Sequence, residues 1–124
     1  MLYAVLCYAQ EDAVTAWSKE QDDEVMRNLA VVLEKYAKAG KLGPVARLLP
    51  TTAATTLRKV KGEPLVLDGP FAETKEQLLG FYTIEADSLE EAVGFAKELS
   101  DANPSGGSYE IRPVGVYSPV AATI

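Results

Sequence analysis

The hydrophobic pattern divides the chain into apolar runs separated by turn-forming residues. Leu2 to Ala9 is apolar at almost every position. Without the alternation of a half-buried strand, it predicts one buried on both faces and central in a sheet. A connection over Gln10 to Trp17 follows. Val25, Met26, Leu29, Val32, Leu33, Tyr36 and Ala37 then recur at spacings of three and four, a single apolar stripe. Ser18 and Gln21 have capping-box spacing, and acidic residues from Glu20 to Glu24 suit the positive end of the helix dipole. Lys35 and Lys38 fall in the last turn, and Gly40 follows. These signals predict a helix over about residues 19–39, with Met26 and Tyr36 as packing positions.

Leu42 to Leu49 contains Gly43, Pro44 and Arg47 and predicts a short or interrupted strand near a sheet edge. Pro50, Thr51 and Thr52 mark a turn. Thr55 to Val60 and Pro64 to Leu67, joined through Lys61-Gly62-Glu63, read as a hairpin. The Asp68-Gly69-Pro70 turn leads to a strand over Leu79 to Ala86. Ser88 and Glu91 repeat the capping-box spacing and open a helix with Leu89, Ala92, Val93, Ala96 and Leu99 on one face. Gly94 inside that helix suggests close packing against the sheet. Asn103 to Gly107 is a loop and Tyr109 to Tyr117 a last strand. The small apolar tail to Ile124 suits disorder or docking on a neighbour.

With the hairpin set aside, the order is βαββαβ, the ferredoxin-like arrangement of an α+β fold. Right-handed crossovers place two helices on one face of an antiparallel sheet. The other face would then be bare, yet Leu2 to Ala9 is apolar on both sides. An apolar face of that extent predicts a homodimer joined sheet to sheet. The 124 residues fit a single domain.

Composition narrows the function classes. A net charge of −6 with no basic cluster argues against nucleic acid and anionic membrane as partners. One cysteine, Cys7, precludes an internal disulfide and suits a reducing cytoplasm; its setting in an apolar strand predicts an inert thiol. No basic segment precedes the first apolar run, so neither a signal peptide nor a membrane span is expected there. The chain has no histidine. That removes the commonest general base and metal ligand, so neither a metal site nor a cofactor is expected.

Candidate chemistry gathers in Asp68 to Tyr82, where Glu73, Lys75 and Glu76 stand between a tight turn and an apolar strand. Here the chain resembles the DGPF-domain family, a branch of the YCII-related superfamily. Asp68-Gly69-Pro70-Phe71 is the tetrapeptide that names the family, and the match continues through Ala72 to Leu78 and Gly80-Phe81-Tyr82. It extends to Ala54-Thr55-Thr56-Leu57-Arg58, Ser88-Leu89-Glu90-Glu91-Ala92 and Glu110-Ile111-Arg112-Pro113-Val114. The resemblance implies a dimeric α+β barrel. It also implies a His–Asp pair acting as general acid/base in a cleft, in a hydrolase or isomerase. The aspartate maps to Asp68. Many members carry a histidine in the first helix, where this chain has Asn28 or Leu29, so the pair lacks its histidine here. Some relatives lie beside or fused to extracytoplasmic-function sigma factors, which implies a regulatory context.

Two readings of the cluster stand side by side. In one, Asp68 is a cofactor-independent acid/base acting on a small anionic or aromatic ligand. Arg58, Glu73, Lys75, Tyr82 and Arg112, with Glu76 and Glu110, would then surround the same cleft. In the other, the protein is a non-enzymatic ligand-binding or regulatory dimer and the loop is structural. Asp68 would then open an Asx-turn by accepting the backbone N–H two residues on. Glu73, Lys75, Glu110 and Arg112 would form ion pairs holding the loop or the dimer, and Tyr82 would be partly packing.

Overall fold

The computed structural model describes residues 1–118. Its strands are β1 (Leu2–Ala9), β2 (Leu42–Arg47), β3 (Thr55–Val60), β4 (Glu63–Asp68), β5 (Gln77–Glu85) and β6 (Ser108–Pro113); its helices are α1 (Glu11–Thr15), α2 (Lys19–Lys38) and α3 (Leu89–Ala102). Four strands form one antiparallel sheet in the order β2-β5-β1-β6, and β3 pairs with β4 alone. That order is the ferredoxin-like one with a hairpin inserted between its second and third strands, an α+β fold.

Register assigns the faces. Val5 is opposite Tyr82 and Ile111, and Cys7 is opposite Gly80 and Tyr109. Val45 and Arg47 of β2 extend these rows through Tyr82 and Gly80. On this side Tyr3, Val5 and Ile84 are buried against Val25 and Leu29 of α2 and Ala92, Phe95, Ala96 and Leu99 of α3. Phe95 is fully buried. Tyr36 meets it edge-on at 4.7 Å and Tyr82 at 6.0 Å between ring centroids, joining both helices to the sheet.

On the opposite face Leu2, Ala4, Leu6 and Phe81 stay half exposed within one protomer. The burial on both faces expected of β1 is therefore met on one side only. The chain's composition shows no alternation, but its environment does.

Local signals account for most boundaries. The Ser18 capping box forms in both directions: the Gln21 N–H donates to Ser18 Oγ at 3.1 Å, and the Ser18 N–H donates to Gln21 Oε1 at 2.9 Å. The hairpin turns on Lys61 and Gly62, with φ of 52° and 86°, the paired positive values of a two-residue turn, and Glu63 already belongs to β4. β2 is an edge strand whose register slips between Leu42 and Val45. There the Thr83 hydroxyl donates to the Pro44 carbonyl at 2.7 Å, and a side chain at Gly43 would overlap that hydroxyl.

Several expectations are corrected. The Gln10–Trp17 connection contains α1. The Ser88 cap forms only half a box: Glu91 donates its N–H to Ser88 Oγ, while its carboxylate turns to Lys41. The stripe of α3 runs through Phe95, and Leu89 is exposed because it precedes the packed turns. No atom lies within 4 Å of a Cβ built at Gly94, so close packing does not explain that glycine. β6 stops at Pro113, after which the Val114 N–H donates to the Leu2 carbonyl at 2.9 Å, where β1 begins, and Tyr117 lies beyond it. Of the tail, residues 119–124 lie outside the described residues.

Candidate functional site

Between the helices and one end of the sheet lies a cavity of about 530 Å³. Its floor is the register row Arg47–Gly80–Cys7–Tyr109 with Tyr82 and Val45 from the next row. Val25, Met26 and Leu29 of α2 form one wall, and Val14, Thr15 and Trp17 in and after α1 form another. Leu48, Leu49 and Pro50 close the rim, with Asn103 and Gly106 beside Tyr109. Gly80 is required by backbone crowding: a Cβ there would lie 2.6 Å from the Ala46 carbonyl oxygen. Its missing side chain leaves the middle of the floor open.

The charged groups at the cavity are already engaged. Arg47 donates to Asp22 of α2 at 3.0 and 3.4 Å, tying the edge strand to the helix. Glu11 accepts from the Thr51 N–H at 2.7 Å and from the Thr51 hydroxyl, which fastens α1 to the short helical turn Thr51–Ala53. Burial pushes the Cys7 thiol up to about 12, so it stays protonated and inert, in line with its sequence context. Burial raises the Tyr82 phenol to about 12 and raises Tyr109 as well, leaving both neutral at physiological pH.

The residues singled out in the sequence fall in different places. Tyr82 lines the cavity and packs on Phe95. Asp68 ends β4 exposed to solvent, outside the residues lining the cavity, with no side-chain hydrogen bond. The Asx-turn does not form, because the residue two positions on is Pro70, which has no N–H to donate. Glu73 and Lys75 are exposed, and neither makes an ion pair among the described residues. Arg112 and Glu110 approach to 4.0 Å near Tyr8, whose hydroxyl donates to Glu110 at 3.3 Å. The expected four-membered ion-pair group thus reduces to one exposed pair.

The loop between β4 and β5 is held by hydrogen bonds to its backbone from neighbouring strands. Gly69, at φ 104°, donates to the Ala54 carbonyl at 2.8 Å and accepts from the Thr56 hydroxyl at 2.8 Å, closing the hairpin base. The Arg58 guanidinium donates to the Phe71 carbonyl at 3.1 Å and lies 5.7 Å over the Phe71 ring. Gln77 donates to the Ala72 and Thr74 carbonyls at 2.9 and 3.1 Å. A second depression of about 760 Å³ runs from Pro70, Phe71 and Ala72 to Tyr8, Leu48, Leu49 and Pro50, which it shares with the first cavity.

Of the residues singled out in the sequence Tyr82 borders this cavity, and Trp17, Arg47, Asn103 and Tyr109, which were not singled out, line it as well. These come from four separate segments, and no motif joins them. The single tryptophan of the chain, in a connection, was the one available signal. Among the described residues no cluster of three or more Cys, Asp or Glu side chains could hold a metal ion. No helix among them is long and apolar enough to cross a membrane.

An uncharacterised protein of Rhizobium meliloti (strain 1021) is 66% identical over 119 residues, covering 96% of this chain and 96% of that protein. The family model for the YCII-related domain matches residues 1–117. The chain therefore belongs to the YCII-related domain family.

Proposed function

We propose that the protein binds a small, largely apolar molecule in the cavity between α1, α2 and the sheet, and that the loop from Asp68 to Glu76 is scaffold. The observation that carries this reading is the cavity itself. Its roughly 530 Å³ falls within the range of about 300–1,000 Å³ typical of small-molecule sites, and it is walled by apolar side chains with a few polar groups on its floor. The hydrogen bond from the Gly69 N–H, and those from the Arg58 and Gln77 side chains to loop carbonyls, support a structural role for the loop. The binding unit is a homodimer through the half-exposed face around Leu6 and Phe81, an apolar surface that needs cover. The lone free Cys7 suits a reducing cytoplasm.

Trp17, at the cavity wall, is the natural reporter. A metabolite library is screened by thermal shift, and hits are titrated while its fluorescence is followed. Hits should perturb Trp17, and Leu29→Trp, which fills the cavity, should abolish their binding. Hits that leave Trp17 silent and bind Leu29→Trp unchanged would overturn the reading. Turnover of a hit that disappears in Asp68→Asn would establish the hydrolase or isomerase alternative instead. A monomer at micromolar concentration by light scattering would remove the dimer.

A further inference from the structure

The lining groups of the cavity differ in which hydrogens they have left to give. The Thr15 hydroxyl donates to the Glu11 carbonyl at 3.0 Å. The Cys7 thiol points to the Val5 carbonyl at 3.9 Å, and the Tyr8 hydroxyl donates to Glu110. The Asn103 side-chain oxygen is taken by the Ser105 N–H at 3.0 Å and the Ser105 hydroxyl at 2.7 Å, so its NH₂ group faces elsewhere. Asn103 is the polar side chain beside Tyr109, whose hydroxyl donates no hydrogen bond to any of the described residues. The Tyr82 hydroxyl makes no hydrogen bond among the described residues and keeps some access to solvent, since no sealed side-chain polar atom there lacks a partner, and Tyr82 lines the cavity. Two phenolic hydrogens on strands separated by β1, both bordering the cavity, thus have no acceptor among the described residues.

Charge limits what can satisfy them. Arg47 is already paired with Asp22, and Glu11 adds a negative charge at the wall with both oxygens engaged by Thr51. A carboxylate entering here finds no free cation, and an ammonium finds no free acid. Burying either charge unpaired is costly.

Resting on the cavity reading above, we infer that the ligand is an apolar molecule bearing a neutral carbonyl, a ketone, enone or lactone, whose oxygen accepts from the Tyr82 and Tyr109 hydroxyls. The apolar body lies against Trp17, Val25, Met26 and Leu29. Both phenols keep their protons across the physiological range because burial raises them.

Three probes of one skeleton test this: cyclohexyl methyl ketone, cyclohexanecarboxylate and cyclohexylmethylamine. The carboxylate and the amine are transparent where Trp17 absorbs and the ketone absorbs there only weakly, so fluorescence is corrected for the ketone's absorbance and calorimetry reads the same event independently. The ketone should bind roughly tenfold more tightly than either charged probe. The double variant Tyr82→Phe/Tyr109→Phe should weaken the ketone and narrow the ratio of ketone to amine affinity, while the amine, still without a free acid, changes little. Melting temperature shows that the variant is folded, and each single Tyr→Phe change should give part of the loss. Equal binding of all three probes, or tightest binding of the carboxylate, would overturn the carbonyl assignment and leave the cavity reading standing. An unchanged ratio in the double variant would do the same. Binding heat without any Trp17 response would place the probe elsewhere and overturn both.

Discussion

Glu11 holds Thr51 through both carboxylate oxygens, one bonded to the Thr51 N–H at 2.7 Å and the other to its hydroxyl. The two residues are 40 positions apart, and the pair ties the short helix α1 to the chain that leaves β2. Both segments border the cavity. A helix of five residues has too few internal hydrogen bonds to hold itself, so this contact is what keeps that wall in place. Glu11→Ala should destabilise the fold by about 1–2 kcal/mol in urea unfolding. It should also lower affinity for any cavity ligand and increase amide exchange over residues 11–17. Unchanged exchange there would show that α1 is held by its apolar contacts alone.

Two glycines should respond oppositely to the same substitution. A Cβ at Gly80 meets backbone, the Ala46 carbonyl oxygen at 2.6 Å and the Arg47 Cα at 3.3 Å, and backbone in a paired strand cannot step aside. Gly80→Ala should cost about 1–3 kcal/mol and distort the cavity floor. Gly94 lies in α3 with nothing within 4 Å of a built Cβ. Gly94→Ala should stabilise by about 0.5–1 kcal/mol through helix propensity and lower unfolded-state entropy. Melting temperatures of the two variants check the pair; a shift in the same direction would contradict the steric argument.

The loop that names the family resemblance invites a similar contrast. Asp68 is exposed and its side chain makes no hydrogen bond among the described residues, so Asp68→Asn should change stability by less than about 0.5 kcal/mol and leave ligand binding intact. Gly69 at φ 104° occupies a region that side chains rarely adopt, and its N–H and carbonyl close the hairpin base. Gly69→Ala should cost about 1–3 kcal/mol. Denaturant midpoints decide between them, and loss of ligand binding in Asp68→Asn would restore the acid/base role.

Acid should loosen the contact between α2 and α3. Glu98 accepts from Lys35 at 2.7 Å and from the Tyr36 hydroxyl. Hydrogen bonds from Lys35 and then Tyr36 hold its carboxyl below the ordinary value of 4.5. A group whose folded value is depressed stabilises the fold above its unfolded value, and that stability is lost as pH falls through the folded one. Glu98→Gln should therefore be less stable than the parent at pH 7, by about 1 kcal/mol. The two should converge as pH drops below about 4.5. A constant difference from pH 7 to pH 3, by urea unfolding, would refute the linkage.

Local chemistry in the sequence determined the elements and their order. The Ser18 box, the α2 stripe, the Lys61-Gly62 turn and the apolar β1 are short-range signals, legible because capping, periodicity and turn geometry act within a few residues. Failures came where a partner far along the chain competes. Glu91 leaves its capping role for Lys41, and Phe95 outranks Leu89 because the helix is oriented by Tyr36 and Tyr82. The cavity belongs wholly to the second kind. Trp17, Arg47, Tyr82, Asn103 and Tyr109 converge only through strand register and helix packing, long-range relationships that leave no spacing to read. The sequence determined that Asp68 heads a tight turn beside a charged loop. Tertiary structure decided that this turn ends an exposed hairpin, while the polar groups left with a hydrogen to offer lie on the sheet beneath the helices.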